Sequence, residues 1–240
     1  MAAELFMDGR LFIFSGHYGS GKSEIAVNFA LELARFHKTA IVDFDIVNPY
    51  FRTAGARREL ERQGIRVVTP IYANTNVDVP ALPAEISSLF DDKSVKAIFD
   101  AGGDSAGAKA ISRYHEEFIS ERTDNFFVFN LRRPSTSTLD DITDIFYEIQ
   151  ESARLPFTAL VNNTNLLSWT GESDLLEGLS AAVELSKRLS LPVAFSACMS
   201  GVYENGAAAM PYAGAGEFIK RSGELGIPVF NISKHILMEY

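Results

Sequence analysis

The sequence predicts a doubly wound α/β protein, in which a mostly parallel sheet carries helices on both faces. Eight short runs rich in apolar residues are spaced along the 240-residue chain. Between them lie longer segments, several of which repeat their apolar residues every three or four positions, as on one face of a helix. Strands and helices that alternate in this way build a parallel sheet, because each crossover returns the chain to the same edge.

The eight runs are nearly continuous in apolar residues, as expected of strands that are covered on both faces. They fall at residues 11–14, 39–45, 65–71, 95–100, 125–130, 157–162, 192–196 and 228–232. Helical spacing is clearest in three groups: Ile25, Phe29, Leu33 and Phe36; Leu139, Ile142, Ile145, Phe146 and Ile149; and Leu175, Leu179, Val183, Leu185 and Leu189. The sequence contains no internal repeat and no Pro/Gly-rich linker, so we expect one domain over residues 1–240.

Composition narrows the class of protein. The chain is 47% hydrophobic and 22% charged, as in ordinary globular proteins. Its formal net charge of -9 argues against general binding to nucleic acid or anionic lipid. The one cysteine, Cys198, excludes an internal disulfide and a thiolate metal cluster within one chain.

The N-terminal residues do not have the pattern of a targeting signal. Glu4 and Asp8 stand where a signal peptide needs basic residues followed by an apolar run. No apolar run approaches the roughly 20 residues that span a bilayer. We therefore expect a cytoplasmic protein without a membrane or nucleic-acid partner.

The strongest motif is Gly-His-Tyr-Gly-Ser-Gly-Lys-Ser at residues 16–23, which matches G-x-x-x-x-G-K-[ST] between a strand and a helix. Its glycines let backbone N–H groups converge on phosphate oxygens, and the helix start adds further donors. Lys22, expected to face solvent, can reach the β- and γ-phosphates, and the Ser23 hydroxyl can ligate Mg²⁺. The motif predicts a P-loop NTPase fold with a nucleotide bound by Gly16, His17, Tyr18, Gly19, Ser20, Gly21, Lys22 and Ser23.

Carboxylates follow two of the predicted strands at the edge where parallel sheets bind ligands. Asp43 and Asp45 end the second run, and Asp100 ends the fourth, where Ala101 and then two glycines follow it. An acid followed by glycines suits a Mg²⁺ site, with a glycine N–H that touches the γ-phosphate. We therefore predict Asp43, Asp100 and Ser23 as metal ligands and Gly103 as a phosphate contact. A helix cap or turn is the alternative for Asp43 and Asp45.

The phosphate loop, the segment around Asp43 and Asp45, and the Asp100–Gly103 segment together resemble the MinD/ParA/CobQ group of SIMIBI-class P-loop ATPases. The resemblance implies a Mg²⁺-dependent ATPase that often forms a homodimer around its nucleotide. It implies that Asp45 positions the attacking water while Lys22 stabilises charge. It also implies that an asparagine ending a later strand reads adenine; Asn162 matches, and Asn163 is the one-residue alternative.

One departure from that group has a consequence for the rate of hydrolysis. Many members carry a second lysine just after the first glycine of the loop, and His17 stands there in this chain. No lysine then reaches across a homodimer interface to the partner's phosphates. We therefore expect slow ATP hydrolysis by the protein alone.

Three further features have open interpretations. Arg52 either contacts phosphate or a partner, or is a surface cation. Arg132 and Arg133, after the fifth run, either bind an acidic group or form a solvated pair. Residues 207–216 are rich in small residues and have no assigned role.

The sequence supports more than one use of nucleotide. The leading hypothesis is a nucleotide-gated switch that acts on a protein partner, such as a metalloenzyme that needs maturation. The alternative is a metabolic enzyme that uses ATP to phosphorylate or activate a small acidic substrate near Arg132 and Arg133. A third hypothesis is a nucleotide sensor with negligible turnover.

Overall fold

An eight-stranded sheet organises the computed structural model, which describes residues 9–44, 53–69, 84–103, 105–199 and 215–236. Its strands run in the spatial order β3-β2-β4-β1-β5-β6-β7-β8, and every neighbouring pair is parallel. The strands are β1 (Leu11–Ser15), β2 (Thr39–Phe44), β3 (Arg66–Val68), β4 (Lys96–Ala101), β5 (Thr123–Phe129), β6 (Ala159–Asn162), β7 (Val193–Met199) and β8 (Val229–Ile232). This arrangement confirms the predicted fold class.

Eight α-helices are described between these strands. They are α1 (Lys22–Ala34), α2 (Thr53–Arg62), α3 (Ala84–Asp91), α4 (Ser105–Ser112), α5 (His115–Ser120), α6 (Leu139–Ala153), α7 (Glu172–Leu189) and α8 (Gly216–Glu224). Two single-turn 3-10 helices lie at Pro134–Thr136 and Leu167–Trp169. Within the described ranges, no helix combines the length and the apolar character needed to cross a membrane.

Apolar side chains cover both faces of the sheet, because successive residues of a strand point in opposite directions. Ile13 and its neighbours on one face pack against apolar residues of α3 to α7. Phe12 and Phe14 on the other face pack against α1, where the ring of Phe29 lies 5.1 and 5.2 Å from theirs. Burying one such ring contributes about 1.5–3 kcal/mol. Helix α1 is thus fixed against the central strands, directly after the loop that joins it to β1.

Some element ends differ from the prediction. Phe36 lies beyond the end of α1 at Ala34 and is 56% exposed, although its spacing assigned it to the helix. The N–H groups of Phe36 and His37 donate to the carbonyl oxygen of Leu33, which closes a turn before β2. Strand β7 continues three residues past the predicted end at 196, to Met199. Strand β3 is shorter than the predicted run 65–71, whose last two residues lie outside the described ranges.

Candidate nucleotide-binding site

The loop at residues 16–21 joins the carboxyl end of β1 to the start of α1, as the motif predicts. Its tip is a turn in which the N–H of Ser20 donates to the carbonyl oxygen of His17 over 3.1 Å. Gly19 and Gly21 have φ angles of 80° and 83°, a region that side chains other than glycine rarely adopt. The glycines of the motif are therefore needed for the path of the loop.

Two glycines of the loop also allow neighbouring strands to approach. A Cβ atom at Gly16 would lie 2.1 Å from the carbonyl oxygen of Val128 in β5. A Cβ atom at Gly21 would lie 2.2 Å from Nδ2 of Asn163, which follows β6. The loop consequently rests directly on the ends of β5 and β6.

Lys22 and Ser23 form the first turn of α1, under the loop. We expected Lys22 to face solvent, and that expectation is wrong: the side chain is 1% exposed, and Ser23 is 6% exposed. Ser20 is equally buried, with its hydroxyl 3.1 Å from the position that a Cβ of Gly16 would take. Tyr18, by contrast, is 63% exposed at the tip of the loop. The lysine is enclosed at the base of the loop because it begins the helix that packs against the sheet.

Asp43 and Asp100, the two predicted metal-binding acids, are neighbours in the sheet. Asp43 of β2 is paired in register with Asp100 of β4, and both are buried. Ile41 lies two positions before Asp43, and Ile98 lies two positions before Asp100. Both isoleucines pack with residues of α1. Residues two apart in a strand share a face, so both carboxylates lie on the face that α1 covers. Ser23 is the second residue of α1. The structure therefore places Asp43 and Asp100 on the side of the sheet where Ser23 lies.

Gly103 lies against the phosphate loop. A Cβ atom there would be 2.7 Å from the backbone nitrogen of Tyr18 and 3.1 Å from the carbonyl carbon of His17. The segment that follows Asp100 therefore touches the loop through backbone atoms. His17 itself is half-buried, and its Nδ1 lies 2.9 Å from the carbonyl oxygen of Tyr18.

Several predicted residues lie outside the described ranges. They include Asp45, the predicted water-positioning acid, together with Arg52. Of the small-residue segment 207–216, only the last two residues are described: Ala215 is buried, and Gly216 begins α8.

The two asparagines after β6 have different surroundings. Asn162, the predicted adenine contact, donates from Nδ2 to the hydroxyl of Ser196 (3.2 Å) and accepts at Oδ1 from the N–H of Thr164 (3.1 Å). Asn163 instead donates from Nδ2 to the carbonyl oxygen of Ser20 in the loop, over 2.8 Å. Both are buried. The amide of Asn162 is engaged within the protein, whereas Asn163 contacts the loop.

Two further asparagines, which the sequence analysis did not select, connect these strand ends. Asn130, after β5, donates from Nδ2 to the carbonyl oxygen of Asn165 (3.2 Å) and accepts from its N–H (3.3 Å). Asn165 donates from Nδ2 to the carbonyl oxygen of Asn163 (2.8 Å). The sequence signal was a group of four asparagines at the ends of two adjacent predicted strands.

The two arginines after β5 do not act as a pair. Arg132 donates from Nε to Asp174 (2.7 Å) and from Nη2 to Glu177 (2.6 Å), both on α7. Arg133 donates from Nε to the carbonyl oxygen of Gly19 in the loop (2.8 Å). The interpretation as a solvated pair is therefore wrong, and Arg132 is committed to two carboxylates rather than open to an acidic substrate.

Similar folds occur among solved structures. The chloroplast FtsY of Physcomitrella patens aligns with 88% of this chain at 17% identity and a TM-score of 0.54. The cell division protein FtsY of Thermotoga maritima aligns with 87% at 17% identity (TM-score 0.52). The signal recognition particle 54 kDa protein of Aeropyrum pernix K1, in complex with GDP, aligns with 91% at 16% identity (TM-score 0.51).

The alignments cover 64%, 67% and 50% of these three structures, so the chain spans between half and two thirds of their length. No protein-family model and no curated protein matches the sequence. The likeness shows the fold alone, and the fold of this chain is a P-loop NTPase fold. At this identity, the likeness does not single out the MinD/ParA/CobQ group.

Proposed function

We propose that the protein binds and slowly hydrolyses a nucleoside triphosphate with Mg²⁺, with ATP as the preferred nucleotide. The observation that carries the proposal is the strand–loop–helix unit at residues 11–34. Its glycines adopt the backbone angles of a phosphate loop, and Lys22 is enclosed at its base. A buried cation beside helix N–H groups favours a highly charged anion such as a polyphosphate.

The donor set at the strand ends fits Mg²⁺. This ion prefers oxygen ligands and usually takes one or two carboxylates, with phosphate oxygens and waters completing an octahedron. The Ser23 hydroxyl and the carboxylates of Asp43 and Asp100 supply such oxygens. The described ranges hold no cluster of three or more His, Cys, Asp or Glu side chains suited to a metal.

Hydrolysis by such a site depends on positioning and charge rather than on covalent chemistry. Lys22 and the N–H groups of the loop stabilise the charge that develops on the phosphate oxygens. Mg²⁺ held by the Ser23 hydroxyl and the carboxylates of Asp43 and Asp100 would supply positive charge beside the phosphates. Asp45, two residues after Asp43, is our proposed residue for orienting the attacking water.

The preference for ATP follows from the resemblance to MinD/ParA/CobQ-type ATPases. A carboxamide offers both a donor and an acceptor, which suits the adenine edge. Asn162 is our proposed base contact, and its present bonds to Ser196 and Thr164 would have to exchange for bonds to adenine. One of the similar structures contains GDP, so the choice of base requires a direct test.

We further propose that nucleotide state is passed to a protein partner, with the ATP-bound form also favouring a homodimer. The contact between Gly103 and the loop supports the switch, since a γ-phosphate bound at the loop would lie against the segment after Asp100 and could move it. Ordering or releasing such segments is a common output of nucleotide switches.

Competition and turnover measured together test the proposal. With Mg²⁺ present, labelled ATP should bind to the protein, and unlabelled ATP should displace it at a lower concentration than GTP does. Without Mg²⁺, labelled ATP should not bind. Phosphate release should be slow but measurable with ATP alone. Displacement by GTP at lower concentration than by ATP would overturn the base assignment, and absence of binding by either nucleotide would overturn the function.

A further inference from the structure

Arg133 lies along the outside of the phosphate loop. Its Nε donates to the carbonyl oxygen of Gly19 over 2.8 Å, and its Cδ and Nε lie 3.6 Å from the position of a Cβ at Gly19. Any larger residue at position 19 would also be strained, because φ is 80°. A Cβ at position 19 would meet Arg133 only in ordinary van der Waals contact, so the backbone angle rather than the arginine calls for glycine there.

The backbone of Arg133 is held in place by a short turn. Arg133 caps the 3-10 helix Pro134–Thr136, and its carbonyl oxygen accepts from the N–H of Thr136 over 3.0 Å. The buried hydroxyl of Thr136 donates to the carbonyl oxygen of Asn130 over 2.6 Å. The arginine therefore reaches the loop from a rigid support rather than from a free segment.

Arg133 and Asn163 bind two consecutive peptide units of the loop. Arg133 holds the carbonyl oxygen of Gly19, and Asn163 holds that of Ser20, each over 2.8 Å. In a trans peptide the carbonyl and the following N–H point in opposite directions. The N–H groups of Ser20 and Gly21 are consequently turned away from the two side chains that hold these units.

We propose that Arg133 is a positioning residue that presets the phosphate loop for nucleotide; this rests on the nucleotide binding proposed above. A hydrogen bond from a guanidinium to a carbonyl is stronger than a neutral one and polarises the peptide that it binds. Among the described residues, the two Nη groups of Arg133 find no acceptor, so their positive charge stays beside the loop. Holding the loop before binding lowers the ordering cost that a phosphate would otherwise meet.

Three substitutions at Arg133 separate its contributions. Arg133→Met keeps much of the stem and removes both donor and charge, Arg133→Gln keeps a donor, and Arg133→Lys keeps a charged donor. The matched control is Arg132→Met, because the neighbouring arginine binds Asp174 and Glu177 on α7 instead of the loop. Binding of Mg²⁺ with ADP is measured by calorimetry, alongside the melting temperature of each variant.

We expect Arg133→Met to weaken ADP binding at least about tenfold, the lower end of what one hydrogen bond to a charged group contributes. Arg133→Lys should restore most of that loss and Arg133→Gln part of it, while Arg132→Met binds ADP within about twofold of the wild type. A structural role alone would lower the melting temperature of the Arg133 variants in step with affinity, with no rescue by lysine.

ADP affinity of Arg133→Met within twofold of wild type would overturn the inference, as would an equal loss in Arg132→Met. Failure of the proposed function gives a different result, because wild-type protein would then bind neither ADP nor ATP. A wild type that binds ADP, with Arg133 variants that bind it equally well, would leave the function standing and remove only the role of Arg133.

Discussion

Gly103 and Tyr18 approach so closely that a Cβ atom on Gly103 would lie 2.7 Å from the backbone nitrogen of Tyr18. The atoms on the other side of this contact are backbone atoms of the phosphate loop, so a side chain could be accommodated only by moving the loop. The contact connects the segment after Asp100 to the backbone of the loop.

Gly103→Ala should therefore disturb the site rather than the fold. We expect the loop to shift and ATP affinity to fall at least about tenfold, the cost of roughly 1.4 kcal/mol of misplacement. The matched control is Gly223→Ala, because Gly223 lies in α8 with no heavy atom within 4 Å of an added Cβ. The control should keep wild-type affinity and gain up to about 1 kcal/mol in stability. Equal affinity in both variants would show that position 103 does not bear on the loop.

Substitutions of two acids should separate the effects on ATP binding from the effects on ATP hydrolysis. Asp45→Asn should keep ATP affinity within a fewfold and lose most turnover, because our assignment has Asp45 act on water. Asp100→Asn should instead weaken binding that depends on Mg²⁺, since the carboxylate is a proposed metal ligand. Titrations with and without Mg²⁺, together with phosphate release, distinguish the two effects. Normal turnover by Asp45→Asn would contradict its assignment.

His17 bears on the expected slow rate. An additional cation commonly stabilises the charge that develops on the γ-phosphate in the transition state. Such a cation can increase the rate about 10³-fold or more. An imidazole is a short, rigid ring without the long, flexible ammonium chain of a lysine, so it substitutes poorly. We expect little change in basal phosphate release for His17→Ala and a faster rate for His17→Lys. A sharp loss of rate in His17→Ala would mean that the imidazole takes part in the reaction.

Low pH should weaken the ion pair between Arg132 and Asp174, which connects the loop after β5 to α7. The N–H of Gly171 donates to Asp174 and lowers its pKa below the ordinary value of 3.8, and Arg132 adds to this against the opposing effect of burial. The unfolded chain then binds the proton more readily, so the stabilisation is present above pH 3.8 and is lost as pH falls through the lower folded pKa.

Denaturant unfolding as a function of pH measures this effect. Between about pH 5 and pH 3, wild-type protein should lose more stability than Asp174→Asn, which keeps an acceptor for Gly171 but cannot titrate. Glu177→Gln is the matched control, because Glu177 contacts the same arginine but is 60% exposed, so its removal should change the slope little. Identical slopes for wild type and Asp174→Asn would contradict the assignment.

The parallel sheet could be predicted because its cause is local in the sequence. Strands that are nearly continuous in apolar residues must be covered on both faces, and the helices between them supply the cover. The loop at 16–23 could be placed for the same reason, since its neighbours in sequence are also its neighbours in space. The ends of elements were less certain, as Phe36 shows, because a turn rather than periodicity ends α1.

The surroundings of the site could not be predicted, because they are set by residues far apart in the chain. Arg133 and Gly19 are 114 positions apart, and Arg132 and Asp174 are 42 apart. No sequence pattern indicates which of two consecutive arginines faces the loop. The burial of Lys22 was missed because it depends on how α1 and the loop before it pack against strands that are distant in the sequence.

The most direct test of nucleotide binding is calorimetric titration of Mg²⁺-ATP into wild-type protein and Lys22→Met. Methionine keeps much of the buried stem and removes the charge, so the fold should persist where a truncation to alanine would leave a cavity. Lys220→Met, on an exposed lysine of α8, is the control. The account predicts tight binding by wild type and Lys220→Met, with binding by Lys22→Met weakened at least about 100-fold, since a buried charged partner of the phosphates is lost. Unchanged affinity in a folded Lys22→Met protein would contradict the assignment of residues 16–23 as a phosphate-binding loop.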